Sequence, residues 1–126
     1  MPLLIDTDVL IDYLRDYADA VSYLESLSEP AYISAITVAE LYAGVREGKE
    51  RVALDSFVKA FEVVPVDEGI ATRGGLLRRD YRKSHNVGLA DAIIAATAES
   101  KNAELVTLNK KHFPMLTRII TPYRKS

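Results

Sequence analysis

Three carboxylates stand where a charge is expensive unless it is put to use. Asp6 ends the apolar run Leu3, Leu4 and Ile5. Asp91 lies at the head of the apolar stretch 90–98, and Glu40 falls on the polar side of a helical pattern, one turn before Gly44. Each has an ordinary explanation: Asp6 caps a helix, Asp91 complements the positive end of a helix dipole, and Glu40 is solvated. Brought to one crevice, however, carboxylates repel one another and their pKa values rise, unless a divalent cation compensates. Oxygen ligands of this kind favour magnesium or manganese over zinc. The chain offers little other chemistry. It has two histidines, no cysteine, and no GxSxG, Walker or GxGxxG pattern, so nucleophilic triads, zinc centres and nucleotide cradles are poorly supported.

The elements that must position these acids follow from hydrophobic spacing. Leu3 to Ile5 reads as a buried strand, with Thr7 as the cap of a helix whose apolar face is Val9, Leu10, Ile11 and Leu14. Asp6 is then at the carboxyl end of a strand, where open α/β sheets form their ligand crevices. Further helices are predicted over Ala18–Leu27, Ile36–Val45, Val52–Phe61, Asp67–Lys83 and from Leu89. Strands are predicted over Ala31–Ser34, Val63–Val66, Glu104–Thr107 and Arg118–Ile120. The adjacent Gly74 and Gly75 each cost a helix about 1 kcal/mol relative to Ala, which points to close packing against another helix. The alternation predicts a three-layer α/β/α sandwich with a mainly parallel central sheet.

A length of 126 residues suits one domain with a single core, here residues 1–126. Sixteen basic and eighteen acidic side chains leave no global field to draw nucleic acid or membrane, so a polyanion must be bound by a local patch. The absence of cysteine suits a reducing compartment, and the chain shows neither a signal peptide nor a membrane-spanning run. The expectation is a cytoplasmic protein without membrane contact.

The segments IDTDVLIDYL, ITVAELYAGV, GLADAIIAATA and LVTLNKKHF, in this order and spacing, resemble the signature segments of PIN-domain ribonucleases of the VapC toxin type. The likeness spans essentially the whole chain. It implies a PIN-like sandwich that hydrolyses RNA phosphodiester bonds with Mg2+ or Mn2+, as the toxin of a toxin–antitoxin pair. It also implies a homodimer and a cognate antitoxin partner. The family's functional positions map onto Asp6, Glu40 and Asp91; the fourth acidic position is Asn109 here, which puts a second tightly held metal in doubt. On this reading Asp6 and Asp91 bind the cation, Glu40 holds a water or accepts its proton, and Asn109 orients a water or a neighbouring carboxylate. Such a water-attack route needs no RNA 2′-hydroxyl.

RNA must still approach an acidic pocket. Basic groups that could offset the repulsion are Arg46, Lys49 and Arg51; Arg78, Arg79, Arg82 and Lys83; and Lys110, Lys111 and His112. Tyr42 suits core packing better than base stacking, and His85 and His112 read as loop residues. Asp8 and Asp12, one turn apart, read as a solvated face, with one of them extending the acidic crevice as the alternative. Two rivals belong to other classes. Asp6-Thr7-Asp8 resembles the opening of haloacid-dehalogenase-type phosphatases, but Val9 and Leu10 stand where that motif expects Gly and Thr. The other rival is a catalytically weak PIN-fold module that only binds RNA or protein, motivated by Asn109.

Overall fold

The computed structural model describes residues 1–125. Five strands, β1 (Leu3–Ile5), β2 (Tyr32–Ser34), β3 (Glu62–Val64), β4 (Glu104–Val106) and β5 (Ile119–Ile120), form one sheet in the order β3-β2-β1-β4-β5. Every strand pairing is parallel, with Leu4 opposite Leu105 and Ile5 opposite Val106. Parallel neighbours need crossovers, which as far as β4 the helices α1 (Thr7–Leu14), α2 (Ala18–Glu25), α3 (Ala35–Ala43), α4 (Lys49–Val58), α5 (Glu68–His85) and α6 (Leu89–Lys101) supply. From β4 to β5 the chain crosses through a single 3-10 turn at Lys110–His112.

Alternation along the strands divides the core in two. Leu4 and Leu105 pack with Ile70, Leu77, Ile94 and Phe113 on one face; Ile5, Ile33 and Val106 pack with Val9, Leu10, Leu41 and Leu54 on the other. This is the three-layer sandwich that the sequence predicts. From β1 the chain steps outward through β2 and β3, then returns to lay β4 and β5 on the opposite side. The switch point therefore lies at β1 and β4, and parallel strands bring all their carboxyl ends to one edge of the sheet.

Several local expectations are corrected. The cap of α1 is Asp6, whose Oδ1 accepts from the Thr7 amide at 2.8 Å, and Thr7 is already helical. The fourth helix covers 49–58 instead of 52–61, because it starts directly after Gly48, whose φ of 98° few other residues adopt, and takes in charged residues that carry no apolar rhythm. Strand β3 ends before Pro65, which has no amide to continue the ladder. No helix among the described residues is long and apolar enough to cross a membrane.

The two central glycines of α5 separate cleanly. A Cβ at Gly74 would sit 3.0 Å from Ile93 Cγ1 and 3.1 Å from Ile93 Cα, whereas one at Gly75 meets nothing within 4 Å. Gly74 thus sets the approach of α5 to α6, and with it the seat of Asp91. We predict that Gly74→Ala destabilises by about 1–3 kcal/mol by overpacking, while Gly75→Ala is neutral or stabilises by up to about 1 kcal/mol. Paired thermal melts check this. Equal melting temperatures for the two variants would show that the helix contact is soft.

Candidate active site

The switch point gathers the polar groups. Asp6 follows β1 directly and is 5% exposed. Its Oδ2 accepts from the Thr107 hydroxyl at 2.7 Å, and Thr107 follows β4 directly. The register pairing Ile5 with Val106 therefore sets the two residues side by side. From β2 the chain turns into α3, capped by Ser34 Oγ, which accepts from the Ile36 amide at 3.1 Å. Two buried or half-buried hydroxyls then tie α3 to α1: Thr7 donates to Glu40 Oε1 at 2.7 Å and lies 3.0 Å from the Thr37 hydroxyl. Asp91 occupies the first turn of α6, half-buried, with His112 Nδ1 at 3.5 Å from its Oδ2.

The electrostatics record a conflict. Burial, then the charge of Asp8, and more weakly that of Asp91, push the Asp6 carboxyl up to about 7, against the hydrogen bonds from Thr107 and Thr7 that favour its ionised form. Asp91 is also raised: burial is the main cause, opposed by His112 and reinforced by Glu40 and Asp8. Asp6 thus feels the charge of Asp8 and Asp91, and Asp91 that of Glu40 and Asp8, around a common edge of the sheet.

Asp8 corrects the sequence reading. It is not part of a solvated face: its Oδ2 accepts from the Leu108 amide at 3.0 Å and from Asn109 Nδ2 at 2.9 Å, and its Oδ1 accepts from the Val9 amide at 2.8 Å. Its pKa is raised, chiefly by burial. Asn109 is therefore a donor to a carboxylate, a part an aspartate could not play while ionised. Asp12, also expected on a solvated face, is 6% exposed and paired with Lys125 Nζ at 2.8 Å. Thr107 is a residue that the sequence does not single out. The available signal is its place at the end of a predicted buried strand, much as Asp6 ends the apolar run before it; the structure closes β4 at Val106 and leaves Thr107 just beyond. His112 stands against Asp91 instead of free in a loop. Tyr42 packs against the core, as expected.

The donor set, carboxylates with an amide and hydroxyls in support, has the chemistry of a magnesium or manganese site, and at Asp6, Asp8 and Asp91 burial and like charge outweigh the hydrogen bonds and the His112 contact that oppose them. Among the described residues, no three His, Asp or Glu side chains already form a closed metal cage. The acids would have to draw together around a cation.

A sequence profile described as the PIN domain matches residues 3–116. The chain is 42% identical over 124 residues to Ribonuclease VapC10 of Mycobacterium tuberculosis, covering 96% of this chain and 92% of that protein. It is 43% identical over 124 residues to Ribonuclease VapC19 of the same organism, covering 95% and 98%. A solved toxin–antitoxin complex from Klebsiella pneumoniae contains a chain that superposes with a TM-score of 0.85 at 31% identity, over 98% of this chain and 99% of that one.

Proposed function

Since this chain belongs to the PIN-domain family of VapC-type toxins, we propose that its carboxylate edge is the active site of an endoribonuclease acting as the toxin of a toxin–antitoxin pair. The observation that carries the catalytic reading is Asp6: a buried carboxylate at the switch point, pushed up to about 7 by burial and by Asp8, with Asp91 adding to the repulsion. A structural acid has no reason to be kept in such company.

Asp6, Asp91 and Glu40 would hold Mg2+ or Mn2+, which when bound supplies neutralisation of the scissile phosphate and acidification of water. The chain's own groups do the positioning. Thr107 fixes the rotamer of Asp6, and Thr7 fixes Glu40 so that its second oxygen is free to accept a proton from the attacking water. Asn109 immobilises Asp8 and keeps that carboxylate from swinging toward the phosphate. Its role as a donor in an ordered network supports the catalytic reading over a silent binding module. The antitoxin is the natural partner, since the Klebsiella pneumoniae relative is solved as a toxin–antitoxin complex. We also propose a homodimer acting in the cytoplasm; a monomer by light scattering at micromolar concentration would count against the dimer.

The test is cleavage of structured RNA by the chain purified free of any antitoxin. Cutting is expected with Mg2+ or Mn2+ and not with EDTA. Cutting that persists in EDTA removes the metal from the proposal, and no cutting under any of these conditions turns the site into a binding surface.

A further inference from the structure

A cavity of about 600 Å³ lies between α1 and the segment 121–125 and opens beside Asp8 and Asn109. Its lining combines the apolar Ile11 and Leu108 with the basic Arg15, Arg124 and Lys125. Asp12 also lines it and has no part in the proposed chemistry. This buried carboxylate is satisfied by the segment itself: Lys125 Nζ lies 2.8 Å from Oδ1, and the Tyr123 hydroxyl donates to Oδ2 at 2.8 Å. Tyr123 is held protonated, its pKa raised by burial and by Asp12. The Tyr123 ring lies against Tyr17 with centroids 5.6 Å apart, and Lys125 sits 5.1 Å over that same Tyr17 ring. Asp12 is thus the post to which one wall of the cavity is tied.

With the Asp12 charge met by Lys125, two guanidiniums are left in the lining. Neither Arg15 nor Arg124 forms an ion pair among the described residues. Of the basic groups named from sequence, Arg46 and Arg51 are paired with Glu50, Glu47 and Asp55 at the start of and along α4, Arg79 is paired with Asp80, and His112 faces Asp91. Lys49, Arg78, Arg82, Lys83, Lys110 and Lys111 also form no ion pair among the described residues, but they do not line this cavity. Two guanidiniums without an ion pair among the described residues, lining one cavity with Ile11 and Leu108 beside the acidic edge, fit a nucleotide: phosphate on the cations and base on the apolar side chains.

We propose that this cavity is the subsite for the RNA nucleotide adjoining the scissile phosphate, with Arg15 and Arg124 contacting phosphate and Asp12 acting as a positioning residue that anchors the segment 121–125. The inference rests on the ribonuclease reading above.

The test measures binding of a fluorescent single-stranded RNA of about twelve mixed nucleotides to the full chain carrying Asp6→Asn, across a salt series in EDTA. Adding Arg15→Gln and Arg124→Gln is expected to weaken binding about tenfold and to reduce the slope of log affinity against log salt by about 0.7, the share of the one phosphate no longer neutralised. Lys59→Gln, which removes an exposed charge elsewhere, should do neither. Asp12→Ala separates anchoring from charge. Losing a carboxylate tightens RNA if only charge matters, whereas losing the anchor weakens it about threefold or more. In the otherwise parental chain, Asp12→Ala should raise KM with kcat retained. Unchanged affinity and slope in the double arginine variant, or tighter binding in Asp12→Ala, overturns the subsite while leaving cleavage by the parent intact. Loss of the antitoxin complex with RNA affinity unchanged also overturns it, by giving the cavity to the protein partner. A parent that cuts no RNA fails at the earlier step, and the two failures are told apart by that control.

Discussion

Asp6→Asn is expected to reduce RNA cleavage by about a thousandfold and, in the same preparation, to raise the melting temperature of the metal-free protein at pH 8. The first effect follows from removing an anionic oxygen where a cation has to be held. The second follows from linkage. The folded-state pKa of Asp6 stands at about 7, against an ordinary value of 3.8. Below pH 4 the group is protonated folded and unfolded alike. Between pH 4 and about 7 the unfolded chain gives up its proton while the folded chain keeps it, so stability from this group falls as pH rises through that window. An asparagine side chain carries no such charge, and its carbonyl oxygen can still accept from the Thr7 amide while its amino group meets the Thr107 hydroxyl. The gap in melting temperature between variant and parent should therefore open across pH 4–7 in EDTA and flatten above it. Its size is on the order of a few kcal/mol, hence several degrees. Asp91→Asn should lose activity similarly and gain less stability, because Asp91 is only half-buried and His112 already relieves it. A stable Asp6→Asn that cuts at the parental rate ends the assignment. One that is inactive but also less stable than the parent at pH 8 leaves Asp6 a structural acid.

The sequence makes the frame legible because each cue is local. A three-residue apolar run stopped by Asp6 reads as a strand end, and the nearly all-apolar flank of Asp91 reads as a buried helix. What it hides are contacts made by distant residues. Asp8 and Asp12 look like an exposed pair because nothing within residues 1–14 reveals that Leu108 and Asn109 fold back over the first, or that Tyr123 and Lys125 fold back over the second. Thr107 is an ordinary residue at a strand's end until the parallel register of β1 with β4 places it against Asp6. The acids Asp6, Glu40 and Asp91 could be found, and Asn109 with them through the family resemblance; Thr107 and the Leu108 amide could not, since the carboxylates they hold lie about a hundred residues away along the chain.

Millimolar Mg2+ or Mn2+ is expected to raise the melting temperature of the parent by several degrees at pH 8, to do little at pH 5, and to leave Asp6→Asn and Asp91→Asn unmoved. An ion that binds only the folded chain stabilises it by RT ln(1 + [L]/Kd), about 2.7 kcal/mol at a hundredfold excess over Kd. The pH dependence comes from competition for the same oxygens. At pH 5 Asp6 is protonated in the folded protein, and its charge conflict with Asp8 and Asp91 is already relieved by that proton. At pH 8 the proton is gone, repulsion is greatest, and a divalent ion has most to gain by replacing it. The acids do not stand as a closed cage among the described residues, so part of the binding energy goes into drawing them together, and the affinity should be modest. Melts with and without EDTA, at both pH values and in all three proteins, decide it. An equal shift in Asp6→Asn and parent would place the ion elsewhere on the molecule; no shift in a parent whose RNA cleavage survives chelation would mean that the clustered acids act without it.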